Sequence, residues 1–142
     1  MSNPIIVQTI VNAPIEKVWE YWSKPEHITG WAFASDTWEA PSALNDLRVG
    51  GTFKTRMQAK DGSGGFDFTG TYTAVTKHAL IEYNMDDLSA QTAGRHVKTE
   101  FLPMPHGVTI TTTFDPEKEN SEEVQRAGWQ AILDNFKKYV EK

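Results

Sequence analysis

"SEEVQRAGWQAILDNFKKYV", Ser121 to Val140, decides how the rest of the chain is read. At 100° per residue, Gly128, Trp129, Ile132, Leu133, Phe136, Tyr139 and Val140 share one broad apolar arc. Glu123, Arg126, Gln130, Asp134, Lys137 and Lys138 lie opposite. This pattern predicts a long amphipathic helix, with Asn120 and Glu123 at capping-box spacing to start it. Such a helix must bury its apolar face, so the question becomes what surface the preceding residues offer.

They offer strands. "IIVQTIV", Ile5 to Val11, is short and β-branched. From about Trp38 the hydrophobic period is two. "TFKTRMQA" sets Phe53, Thr55 and Met57 against Lys54, Arg56 and Gln58, and "FDFTGTYTAV" sets Phe66, Phe68, Gly70, Tyr72 and Ala74 against polar partners. "LIEYNM", "HVKTEFL" and "VTITTTF" add further strands, with "DGSGG" (Asp61 to Gly65) and "PMPHG" (Pro103 to Gly107) as short connections. Strands that follow one another so closely predict an antiparallel meander. Between the first strand and the meander, Ile15, Val18, Trp19 and Trp22 mark one face of a helix, with Asn12 or Ala13 as its N-cap and Pro14 in its first turn. "SKPE" restarts a short helix, Ser23 and Glu26 at capping-box spacing, that Gly30 ends.

The order is therefore strand, two helices, a run of strands, one long helix: an α+β fold. The sheet must cover one apolar face, and the last helix is the element of the right length to do it. A strongly curved sheet wrapped round one helix leaves a space between them, an apolar pocket.

Composition narrows the function. With 142 residues, 39% of them hydrophobic and 23% charged, the chain is expected to form one folded domain over residues 1–142. A net charge of −5 argues against a nucleic-acid partner or an anionic membrane. The absence of cysteine excludes disulfide and thiolate chemistry. "MSNPIIVQTIV" has neither the charged start nor the apolar run of a signal peptide, and no stretch predicts membrane insertion, so a cytoplasmic location is the expectation.

The motifs that could carry chemistry read as structure. "GSGG", Gly62 to Gly65, lacks the Gly-Lys-Ser/Thr and following helix of a phosphate loop, and it lacks the G-x-S-x-G of a hydrolase elbow. His27, His78, His96 and His106 have no zinc-type spacing, so no metal is expected, nor any cofactor. The acidic run from Asp115 to Glu123 suits a helix N-terminus and lacks the central glycine of a calcium loop. "DLRVGGTF", Asp46 to Phe53, leads into a strand, so Gly50 and Gly51 are expected to form a bulge or tight bend, with Arg48 in a surface ion pair or, as the alternative, reaching an anionic group. Gly70 and Gly128 are expected to permit close approach or leave space.

Taken together, "NAPIEKVWEYWSKPEHITGW", "LRVGGTF", "FTGTYTAV" and the "GW" of the last helix resemble the activator of heat-shock-protein ATPase homologue family. That family belongs to the START-like SRPBCC superfamily, and the likeness runs from Ile5 to Tyr139. The resemblance implies a helix-grip fold with a hydrophobic cavity between the sheet and the last helix. It also implies a chaperone as the alternative partner, although the eukaryotic activator that names the family carries a further N-terminal chaperone-binding domain for which 142 residues leave no room.

Strand phase then points Phe53, Thr55, Met57, Phe66, Phe68, Tyr72, Tyr83, Met85, Val97, Thr99, Phe101, Ile110 and Thr112 inward. The expected ligand-cavity set is Trp31, Phe53, Met57, Phe66, Phe68, Tyr72, Tyr83, Met85, Phe101, Trp129, Leu133 and Phe136. The first reading is a binding module for a small hydrophobic ligand, acting as a monomer or weak dimer. A cyclase or dehydratase is the enzymatic alternative, and it requires Glu82, Asp67 or Tyr72 to face the cavity. Glu82 and Tyr83 cannot both do so on a regular strand.

Overall fold

A computed structural model describes residues 4–85, 95–117 and 120–142. In chain order the elements are β1 (Ile5–Val11), α1 (Ile15–Ser23), α2 (Pro25–Ile28), β2 (Trp38–Asn45), β3 (Thr52–Ala59), β4 (Gly65–Thr76), β5 (Leu80–Met85), β6 (His96–Met104), β7 (Gly107–Phe114) and α3 (Glu122–Glu141). The strands form one antiparallel sheet in the order β1-β7-β6-β5-β4-β3-β2. β2 to β7 are the expected meander, and β1 closes it by pairing along β7 from Ile5–Phe114 to Val11–Val108. The curled sheet grips α3, as the α+β helix-grip reading requires.

Period-two alternation produces two chemically different faces. On β7, Val108, Ile110, Thr112 and Phe114 are buried while their neighbours are more exposed. β3 repeats the pattern with Phe53, Thr55, Met57 and Ala59. The opposite face carries the charges: Asp67 pairs with Lys54 and Arg56 at 3.7 and 3.5 Å, and Glu82 with His96 at 2.8 Å. These partners are well hydrated, so each pair contributes little to stability.

The alternation breaks at bulges. Tyr72 lies opposite Tyr83, but Ala74 lies opposite Glu82 and Val75 opposite Ile81. One extra residue on β4 flips the phase after Tyr72. Val75, not the expected Ala74, packs against the core at this end of the strand. β2 has a second irregularity between Glu39 and Ser42, where Pro41, which has no N–H to donate, sits outside the regular pairing. The third involves the paired glycines. Gly50 N–H donates to Tyr72 O and Tyr72 N–H donates to Gly51 O, each at 2.9 Å, so two residues oppose one. Gly50 has φ 84°, the left-handed conformation such a bulge favours. Arg48 is on the surface with Asp46, 2.9 Å away.

Three helix starts differ from the capping expectations. Ser121, not Asn120, caps α3: its Oγ accepts from Val124 N–H at 3.2 Å. Asn120 turns its amide to Glu117 instead. Pro14 occupies the N-cap of α1 without a side-chain cap. Lys24 starts α2, while Ser23 Oγ donates back to Trp19 O, one turn earlier. Lys118 and Glu119 of the acidic run lie outside the described residues.

The core sits between the sheet and the helices. Phe136 and Val140 of α3 are fully buried, as are Ile5, Val11, Val97 and Val108 beneath them. Phe136 meets Trp22 and Trp31 edge-on, with ring centroids 4.9 and 4.8 Å away. Trp19 and Trp22 of α1 both contact Phe101 edge-on. This aromatic cluster fills one end of the space under α3. The other end is open.

Candidate functional site: a cavity between sheet and helix

The open end is a cavity of about 360 Å³. Its floor is the concave sheet face: Phe53, Thr55 and Met57 from β3, Phe68 and Tyr72 from β4, Ile81, Tyr83 and Met85 from β5. Its roof is the N-terminal part of α3, with Val124, Gln125, Gly128, Trp129, Ile132 and Leu133. Trp22, Ile28, Trp31 and Ala32 close it on the side of the short helices. The wall is mostly aromatic and aliphatic, with the two methionines supplying an adaptable surface.

Local structure fixes the aromatic rings. Phe53 contacts Phe68, Tyr72 and Tyr83 with centroids 4.8 to 5.3 Å apart. Gly70 makes this contact feasible, because a Cβ there would lie 2.6 Å from the Phe53 ring. Trp129 stacks on Phe114 at 4.0 Å and 13°. Trp31 donates its indole N–H to Tyr21 O at 2.9 Å, and Asn135 donates to Trp31 O at 2.9 Å, so both faces of that turn are tied down.

The polar groups are few and anchored. Tyr72 donates its hydroxyl to Asn45 Oδ1, and Asn45 donates to Ser23 O at 2.6 Å. Burial pushes the Tyr72 hydroxyl well above the ordinary phenol range, against the Asn45 hydrogen bond. Burial also raises Tyr83, with Tyr72 adding to the effect. Neither is an acid or base near neutral pH. Thr99 and Thr112 share a hydrogen bond of 3.0 Å. Gln125 accepts from Glu117 N–H at 2.8 Å and donates to Asn120 O at 2.8 Å, holding the segment before α3 against the helix. Arg95 enters at the start of β6, and burial lowers its pKa from the arginine value, with Glu117 as the main opposing influence.

These features match a family pattern. Residues 12–141 match the model of the Activator of Hsp90 ATPase homolog 1-like proteins, AHSA1. The chain belongs to that family. An AHSA1-like protein from Aeromonas hydrophila is 43% identical over 97% of this chain and 92% of its own, with a TM-score of 0.88. A protein from Cytophaga hutchinsonii is 48% identical over 99% of this chain and 93% of its own, with a TM-score of 0.81. A Chromobacterium violaceum protein shares the fold at 23% identity, covering 100% of this chain and 99% of its own, with a TM-score of 0.85. No curated protein matches the chain.

Within this AHSA1 chain the expected cavity residues divide. Trp31, Phe53, Met57, Phe68, Tyr72, Tyr83, Met85, Trp129 and Leu133 line the cavity. Phe66, Phe101 and Phe136 do not. Phe66 lies opposite Met57 and shares its face, but it is 48% exposed beside Trp38. Phe101 and Phe136 are packed into the aromatic cluster under α1 and α2. Asn45, Arg95 and Gln125 line the cavity without having been anticipated. Asn45 and Arg95 sit at strand ends, and Gln125 on the arc of the helix, where period gives polar residues no signal.

Of the groups the enzymatic alternative needed inside, Asp67 and Glu82 lie on the outer face with their cationic partners. Tyr72 faces in, held by Asn45. Among the described residues no group of three His, Cys, Asp or Glu could hold a metal, and no helix is long and apolar enough to cross a membrane.

Proposed function

We infer that this AHSA1 chain is a small-molecule binding domain that holds an apolar or aromatic ligand between the sheet and α3. The observation that carries this reading is the cavity, about 360 Å³ and walled by aromatic and methionine side chains with a few anchored polar groups. Ligand sites have that size and that composition. A ligand that binds the folded state alone raises the melting temperature by mass action. The test is a panel of naphthalene- and flavonoid-sized compounds, followed by melting temperature and by amide resonances of α3. Saturable shifts in Trp129 and Leu133 are expected, and a panel that moves neither quantity refutes the reading.

Gly128 supports the same reading. It lies inside α3, lines the cavity, and a Cβ built there meets nothing within 4 Å. Glycine costs a helix interior about 1 kcal/mol relative to alanine, and no packing contact requires it here. Its benefit is the space it leaves. Gly128→Ala is expected to stabilise the fold by about 0.5–1 kcal/mol in urea unfolding. Gly128→Leu is expected to keep the fold and fill the cavity, abolishing binding of any compound found by the panel. Undiminished binding to Gly128→Leu would show that ligands sit elsewhere.

A further inference from the structure

Arg95 is the cation among the described residues that line the cavity, and it is only 8% exposed. Its Nε donates to Asp115 O at 2.9 Å, which fixes the guanidinium plane. Arginine stays protonated in proteins, so a buried guanidinium beside apolar space is costly unless an anion meets it. Burial lowers its pKa, with Glu117, Tyr83 and Asp115 opposing. Tyr83 lines the same cavity, and its ring is held edge-on by Phe53 at 4.8 Å. Glu117 lines the same cavity, with its carboxylate engaged by the Asn120 amide. The cavity thus sets a buried cation among apolar walls.

We propose that the ligand is an amphipathic carboxylate, its apolar body against Phe53, Phe68 and Trp129 and its carboxylate on the Arg95 guanidinium, with the Tyr83 hydroxyl as a second donor. This specifies the ligand class for the cavity-binding reading above and rests on it. The planar fork of arginine matches a carboxylate in geometry as well as charge. Glu117 opposes the ligand's charge and sets an upper limit on the affinity.

The test compares 2-naphthoate with 2-naphthamide, which share an apolar body and differ in charge. Both are titrated calorimetrically at neutral pH into the wild type, Arg95→Met, Arg95→Lys and Glu117→Gln, with the fold of each checked by its amide spectrum. Naphthoate is expected to bind the wild type about tenfold tighter than the amide, the lower range for a hydrogen bond to a charged group. Arg95→Met should lose that preference and keep its affinity for the amide, while Arg95→Lys keeps part of it. Glu117→Gln should tighten naphthoate several-fold, roughly the effect of one nearby like charge removed, and leave the amide unchanged. Equal binding of both compounds by the wild type overturns the proposal and leaves the cavity reading standing. A preference that survives in Arg95→Met also overturns it. If Arg95→Met does not fold, an unchanged naphthoate affinity in Glu117→Gln is decisive against the proposal. Binding of neither compound, while another compound of the panel binds, overturns this proposal and leaves the cavity reading standing.

Discussion

Phe136→Ala is expected to destabilise the fold by about 3–5 kcal/mol, the usual range for deleting a fully buried aromatic ring. Phe136 has no exposed surface and joins α3 to α1 and to the turn after α2 through edge-on contacts with Trp22 and Trp31. Removing the ring leaves a void between three elements that are each already fixed by other contacts. Trp31 is tied to Tyr21 and Asn135 by hydrogen bonds, so it cannot easily collapse into the gap. The cost should therefore sit toward the upper end of the range, since residual cavity volume sets the penalty. Phe136→Leu keeps most of the volume and should lose much less. Urea unfolding followed by tryptophan fluorescence reads both, because Trp22 and Trp31 are the residues whose surroundings change. A loss below about 1 kcal/mol for the alanine variant would mean that the aromatic cluster repacks. Because Trp22 and Trp31 also line the cavity, Phe136→Ala should weaken ligand binding although Phe136 itself does not line it.

Gly51→Ala is the second large effect, and it is informative beside Gly50→Ala. A Cβ on Gly51 would lie 2.1 Å from Asp46 O and 3.0 Å from Arg48 O. Both obstacles are backbone, so the turn itself must move. Asp46 N–H to Thr52 O, at 3.0 Å, and Gly51 N–H to Arg48 O, at 2.8 Å, hold that turn in place. The expected loss is about 3 kcal/mol, the upper end for forced overpacking, and larger still for Gly51→Val. In a domain of this size that is roughly a 10 °C fall in melting temperature. Gly50 has open space around its Cβ but φ 84°, so Gly50→Ala costs only the left-handed penalty, about 1–2 kcal/mol. Adjacent glycines are thus required for different reasons, one conformational and one steric. Gly50→Ala costing as much as Gly51→Ala would contradict this assignment. Gly51→Ala displaces the backbone that pairs with Tyr72, so binding should fall with stability rather than independently of it.

The sequence by itself determined the order and kind of the elements and the inward phase of the regular strands. β3 shows why. Phe53, Thr55 and Met57 alternate with Lys54, Arg56 and Gln58, and a pleated strand converts that local period directly into two faces. The arc of α3 is legible for the same reason, because both periods are properties of a few consecutive residues. Only the tertiary structure decided what covers each inward side chain. Phe66, Phe101 and Phe136 have the right phase, yet Phe66 stays 48% exposed beside Trp38 and the other two are claimed by Trp19 and Trp22 of α1 and by Trp31 after α2. The bulge after Tyr72 exchanges Ala74 for Val75, because one unpaired residue resets every later phase on the strand. Arg95 and Asn45 reach the cavity from strand ends, and Gln125 from within the apolar arc of α3, where a hydrophobic period does not single out a polar side chain. Period fixes the direction of a side chain. Whether that direction ends in a core, in solvent or in a cavity depends on which distant element lies opposite, and on the volume that element leaves unfilled.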